Sequence, residues 1–161
     1  MNRNARSSLV FILVLVMSSL VIASAQNLPM GDDKDLQLGS PVIMQADELV
    51  KVLKSGGNKP LVFFVGPLAF YRQSHVPGAE FLGPTARPEG LDKLRTRAAS
   101  LPRSTPIVIY CGCCPWVHCP NIRPAYAELK KMGFTKLRVL YLETSFGTSW
   151  VEKGYPAEKG R

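Results

Sequence analysis

All four cysteines of this 161-residue chain, and one of its two histidines, fall within twelve residues, "YCGCCPWVHCPN" at 110–121. Cys111, Cys113, Cys114, Cys119 and His118 together could serve four chemistries. Thiolates with an imidazole suit Zn(II) or Cu(I). Cys111 and Cys114 form a C-x-x-C pair of the kind that dithiol oxidoreductases exploit. Paired thiols could also close disulfides that brace the loop, or one thiol could act as a nucleophile with the others resolving its product. Crowding into one segment excludes a distributed disulfide framework, which staples loops far apart in sequence.

The elements that must hold this cluster can be read from hydrophobic patterning. "PLVFFV" (60–65) and "TPIVIYC" (105–111) are continuous apolar runs of strand length, as in a parallel sheet buried on both faces. "MQADELVKVLKSGG" (44–57) has Leu49, Val50 and Leu53 at helical spacing and ends in two glycines. Helices are also expected in "LAFYRQS" (68–74), "EGLDKLRTRAASL" (89–101) and "RPAYAELKKMG" (123–133). In the last of these, Pro124 stands near the start and Gly133 at the end. "HVPGAEFLG" reads as a turn into a strand, "KLRVLYL" as a further strand and "SWVEKG" as a short closing helix. Alternation of this kind predicts an α/β sandwich with a mostly parallel central sheet flanked by helices. Functional groups in such sheets gather at the carboxyl ends of strands, which is where Cys111 follows "PIVIY".

The amino-terminal residues read as an address. Arg3 and Arg6 precede the apolar run "LVFILVLVMSSLVI" (9–22), and "ASA" (23–25) supplies small residues for cleavage after Ala25. The run is shorter than the ~20 residues of a spanning helix, so a signal peptide at 1–25 is expected, with no stable membrane insertion after its removal. Residues 26–43 read as a flexible leader, 44–157 as one domain and 158–161 as a tail. Export points to a periplasmic or secreted protein of the bacterial cell envelope, where neighbouring thiols oxidise readily. The chain beyond the signal carries 18 Lys and Arg against 12 Asp and Glu, a net +6. These charges are dispersed and not interleaved with aromatics, which argues against nucleic-acid binding.

Three motifs in order, with the helix between the second and third, resemble the rhodanese-like domain family over about residues 44–157. "HVPGAEF" (75–81) is similar to the family's turn before its third strand, and "IVIYC" (107–111) to the strand delivering its reactive cysteine. "WVEKGYP" (150–156) is similar to its closing Trp-x3-Gly-x-Pro, and "AELKKMGF" (127–134) to the helix after the active loop. The resemblance implies a rhodanese-like three-layer sandwich with an expanded, cysteine-rich active loop. It also implies that Cys111 is the nucleophile, taking up a sulfane sulfur as a persulfide and passing it on. The corresponding activity is that of a thiosulfate sulfurtransferase-like enzyme or a thiol oxidoreductase, with no cofactor.

On this reading Cys113, Cys114 and Cys119 resolve the product, His118 assists the thiolate, and Arg123 holds an anionic substrate. The partner is a small sulfur-containing anion or a protein thiol. The alternative is a non-catalytic Cu(I)- or Zn-binding module with Cys111, Cys114, His118 and Cys119 as ligands. Adjacent Cys113 and Cys114 are not expected to face one metal together. A third reading is an inert scaffold with a disulfide-braced loop. His75 is expected to be a hydrogen-bonded turn residue, and Trp116 an anchor for the loop.

Overall fold

A computed structural model describes residues 36–37 and 40–160. The expected signal peptide and most of the leader lie outside the described residues. Five parallel strands form one sheet in the order β1-β5-β4-β2-β3. They are β1 (Ile43–Met44), β2 (Leu61–Phe64), β3 (Glu80–Phe81), β4 (Ile107–Tyr110) and β5 (Leu137–Leu140). Four helices connect them: α1 (Ala46–Lys54), α2 (Leu68–Gln73), α3 (Pro88–Ala99) and α4 (Ile122–Lys131). No helix among the described residues is long and apolar enough to cross a membrane.

The central strands are apolar throughout because both faces of the sheet are covered. Phe63, Ile107, Ile109 and Val139 pack with Leu94 and Ala98 of α3 and Ala125 and Leu129 of α4. Val62, Phe64, Val108 and Tyr110 on the other face pack with Leu49 and Val50 of α1 and with Phe146 and Trp150. The alternation along β2 and β4 thus feeds two cores, giving the expected three layers.

Two turns pin the sheet's carboxyl edge. The Tyr110 hydroxyl at the end of β4 accepts a hydrogen bond from the Val76 amide at 2.9 Å. Beside it, His75 is buried, stacks on Tyr71 with ring centroids 3.8 Å apart, and bonds through Nδ1 to the Tyr71 carbonyl at 2.8 Å. This is the turn role that the sequence assigns it. The closing motif works similarly: the Trp150 indole N–H donates to the Pro156 carbonyl at 2.8 Å while its ring stacks on Phe146.

Three features differ from the expected elements. Strand β1 begins at Ile43, inside the segment read as a leader, and Leu36 packs into the core. Two residues of strand are too few for a period-2 pattern to be visible. The closing helix is a five-residue π-helix, Gly147–Val151. Such turns are rare and concentrate near functional sites. Here the π-helix follows Phe146, whose amide donates to the Gly112 carbonyl at 3.1 Å.

Candidate functional site

Cys111 is the residue immediately after β4, and the loop it opens runs to Asn121, next to the first turn of α4. Cross-strand bonds carry on past the strand ends: the Val65 amide donates to the Tyr110 carbonyl at 2.9 Å. The loop folds back on the sheet edge at two points. Phe146 holds Gly112, and the Trp116 amide donates to the Leu142 carbonyl at 3.1 Å. Trp116 opens a single 3-10 turn, Trp116–His118, and its side chain is buried in the core, in the anchoring role expected of it.

This path brings the four cysteine sulfurs to within 4.8 Å of one another. The Cys111 and Cys113 sulfurs are 3.3 Å apart, and those of Cys113 and Cys114 are 3.0 Å apart. All four are free cysteines. Cys111 and Cys119 are 2% and 3% exposed, whereas Cys113 and Cys114 are half-buried. Adjacent Cys113 and Cys114 therefore do face the same point, contrary to expectation, because the tight 112–114 turn folds both sulfurs toward Cys111. His118 is exposed on the 3-10 turn, outside the four-sulfur group. Arg123 is the second residue of α4 and half-buried.

The thiols differ in acidity. Cys119 is lowered to about 6, first because the Cys111 thiol donates to its sulfur and then because the Asn121 and Ile122 amides do so, against the effect of burial. Cys111 is pushed up by the same shared proton and by burial. Cys114 is pushed up chiefly by burial. Of the two buried thiols, Cys119 is thus the one held below the usual thiol range and Cys111 the one held above it. Amides at a helix start commonly support a thiolate.

Asn121 is a site residue that sequence reading did not single out. It is 3% exposed, and its side-chain N–H₂ donates to Cys111 at 3.5 Å and to Cys119 at 3.8 Å. Its orientation is fixed from the other end, because its Oδ1 accepts from the Ala86 amide at 3.0 Å. The amide nitrogen must then face the sulfurs. The one visible signal is its place between the last cysteine and the helix read at 123–133.

Gly66 is the second such residue. A methyl group there would lie 2.8 Å from the Cys111 sulfur and 2.9 Å from the Phe64 ring. Its signal was a glycine directly after the apolar run of β2. Gly66→Ala is expected to displace Cys111 and cost about 1–2 kcal/mol, the usual size of an overpacking penalty. Urea denaturation of the reduced protein checks this.

The comparisons with known proteins agree with this fold. A family model described as a rhodanese-like domain matches residues 45–148. The rhodanese-like domain of an Anabaena sp. protein is 22% identical over 74% of this chain and 80% of that chain, with a TM-score of 0.54. A Bacillus halodurans protein is 19% identical over 72% of this chain and 75% of its own, with a TM-score of 0.56. A variant of EanB, in a complex with hercynine, is 18% identical over 73% of this chain and 27% of that one, with a TM-score of 0.56. At these identities the likeness is one of fold. No curated protein matches the chain.

Proposed function

The chain belongs to the rhodanese-like domain family, and we propose that it carries out thiol and persulfide chemistry at Cys111. The observation that carries this reading is the place of Cys111, held at the carboxyl end of β4 with three other sulfurs within 4.8 Å. A strand-end thiol in an open parallel sheet is positioned to meet a substrate, and a thiolate is a strong nucleophile.

In the first step Cys111 passes its proton to Cys119 and its sulfur attacks the outer sulfur of a sulfane donor such as thiosulfate. The donor's S–S bond breaks, sulfite leaves with the electron pair, and Cys111 becomes a persulfide. An external thiolate then takes the terminal sulfur and returns Cys111 as a thiolate. The contacts at 3.0–3.3 Å among Cys111, Cys113 and Cys114 support a second outcome. There a neighbouring cysteine attacks the inner sulfur of the persulfide, hydrosulfide leaves, and the resulting disulfide is reduced by an external dithiol. That branch is thiol–disulfide exchange on the same residues.

Asn121 supplies the hydrogen bond to sulfur that the sequence had suggested for His118. Arg123, at the first turn of α4, is the residue we assign to holding an anionic donor. The signal-like residues 1–25 support a periplasmic or secreted location, where a small sulfur-containing anion or a protein thiol is the partner. Steady-state transfer of sulfur from thiosulfate or an organic persulfide to a thiol acceptor tests the reading. Turnover above the uncatalysed rate with at least one such donor is expected, and no turnover with any would refute it.

A further inference from the structure

The convergence of the four sulfurs reaches further than one nucleophile and its helpers require. A persulfide carrier with one resolving cysteine needs two thiols in reach. Here Cys111, Cys113, Cys114 and Cys119 each offer one sulfur, and all four lie within 4.8 Å of one another. A tetrahedral thiolate site with metal–sulfur bonds of about 2.3 Å has sulfurs roughly 3.8 Å apart. The spread found here brackets that distance.

Three pieces of backbone bring the ligands together: the end of β4, the 112–114 turn and the residues just before α4. Each is tied separately, through the Val65 amide to the Tyr110 carbonyl, the Phe146 amide to the Gly112 carbonyl and the Thr85 hydroxyl to the Asn121 carbonyl. Asn121 adds an independent observation. It is a buried amide whose oxygen is committed to Ala86, and its N–H₂ points at the Cys111 and Cys119 sulfurs. Donors of this kind orient thiolate ligands and offset their charge in metal sites. Cys111 and Cys119 form the buried floor, while the half-buried Cys113 and Cys114 leave a route from solvent.

We infer that Cys111, Cys113, Cys114 and Cys119 together hold one thiophilic d10 metal ion, Zn(II) or Cu(I). All-sulfur donation selects soft or borderline ions over hard cations such as Mg(II) or Ca(II). Binding displaces thiol protons and oxidises nothing. The proposal stands apart from the sulfur-transfer reading. Because both use Cys111, a metal-loaded chain cannot form the persulfide until the ion leaves.

The test uses protein purified under anaerobic, reducing conditions and stripped with a chelator. It is titrated in one arm with Zn(II) and in the other with Cu(I) delivered from a competing chelator. Native mass spectrometry is expected to show one ion per chain in at least one arm, with all four cysteines then protected from alkylation. Cys111→Ser and Cys119→Ser should each weaken retention by at least about 100-fold, and His118→Ala should leave it unchanged. Failure of the wild-type chain to retain one ion in either arm overturns the inference, whatever the variants do. So does a site lost in His118→Ala but kept in Cys113→Ser. Sulfur transfer by a wild-type chain that retains no ion in either titration would refute this inference alone, and one ion retained by a chain that, once stripped, transfers no sulfur from any donor would refute the proposed function alone.

Discussion

Cys111→Ser is expected to lower sulfur transfer by roughly 10³-fold or more, the size of loss seen when a covalent nucleophile is removed. A serine oxygen at this buried place cannot carry the sulfane sulfur as a persulfide and is a far weaker nucleophile than a thiolate. The substitution is nearly isosteric in a pocket bounded by Gly66 and Phe64, so far-UV circular dichroism should be unchanged. Cys113→Ser and Cys114→Ser should cost less when the acceptor is an external thiol, because resolution from within the loop is then bypassed. Cys119→Ser should slow the first step while leaving Cys111 able to carry sulfur. Full activity in Cys111→Ser, with loss in Cys119→Ser, would move the nucleophile to Cys119, the more acidic of the two.

The second large effect is on stability, at a position far from any cysteine in sequence. Gly90 lies in the first turn of α3, where alanine would ordinarily favour a helix by about 1 kcal/mol. A methyl group there would sit 2.3 Å from the Pro84 carbonyl oxygen and 2.9 Å from the Thr85 nitrogen. These are backbone atoms, which cannot swing aside as a side chain can. Gly90→Ala should therefore cost about 3 kcal/mol net, the upper range for overpacking, and lower Tm by about 10 °C. The displaced segment also bears on the site. The fully buried Thr85 hydroxyl donates to the Asn121 carbonyl, and the Ala86 amide fixes the Asn121 side chain. Gly56→Ala, in open space after α1, is the control and should change stability by less than about 0.5 kcal/mol. Thermal melts of the three proteins decide the matter; equal melting temperatures would contradict the packing described here.

The strands and helices that position Cys111 were legible because their signals are local. "PLVFFV" and "PIVIY" are apolar runs that only a doubly covered sheet absorbs, and the helix at 123–133 carried its own start and stop residues. The strand-end address of Cys111 followed from these alone. What could not be read depends on partners distant in the chain. Asn121 matters because Ala86 turns its amide toward the sulfurs, and Gly66 matters because the Cys111 sulfur fills the space beside it. Neither pairing leaves a periodic trace in the sequence. The convergence of the Cys113 and Cys114 sulfurs is set by the 112–114 turn and its tie to Phe146, and adjacency in sequence does not show it. His118 stands between cysteines in the sequence, yet on the 3-10 turn it is exposed and outside the four-sulfur group.

The most direct test of the central claim is to locate the transferred sulfur. Reduced, metal-free protein is mixed with a sulfane donor, trapped with an alkylating agent and digested, and the peptide spanning 111–119 is sequenced by mass spectrometry. One added sulfur on Cys111, removed by a thiol, is the predicted result. A donor that leaves all four cysteines unmodified, or places its sulfur on another cysteine while Cys111 stays free, would contradict it.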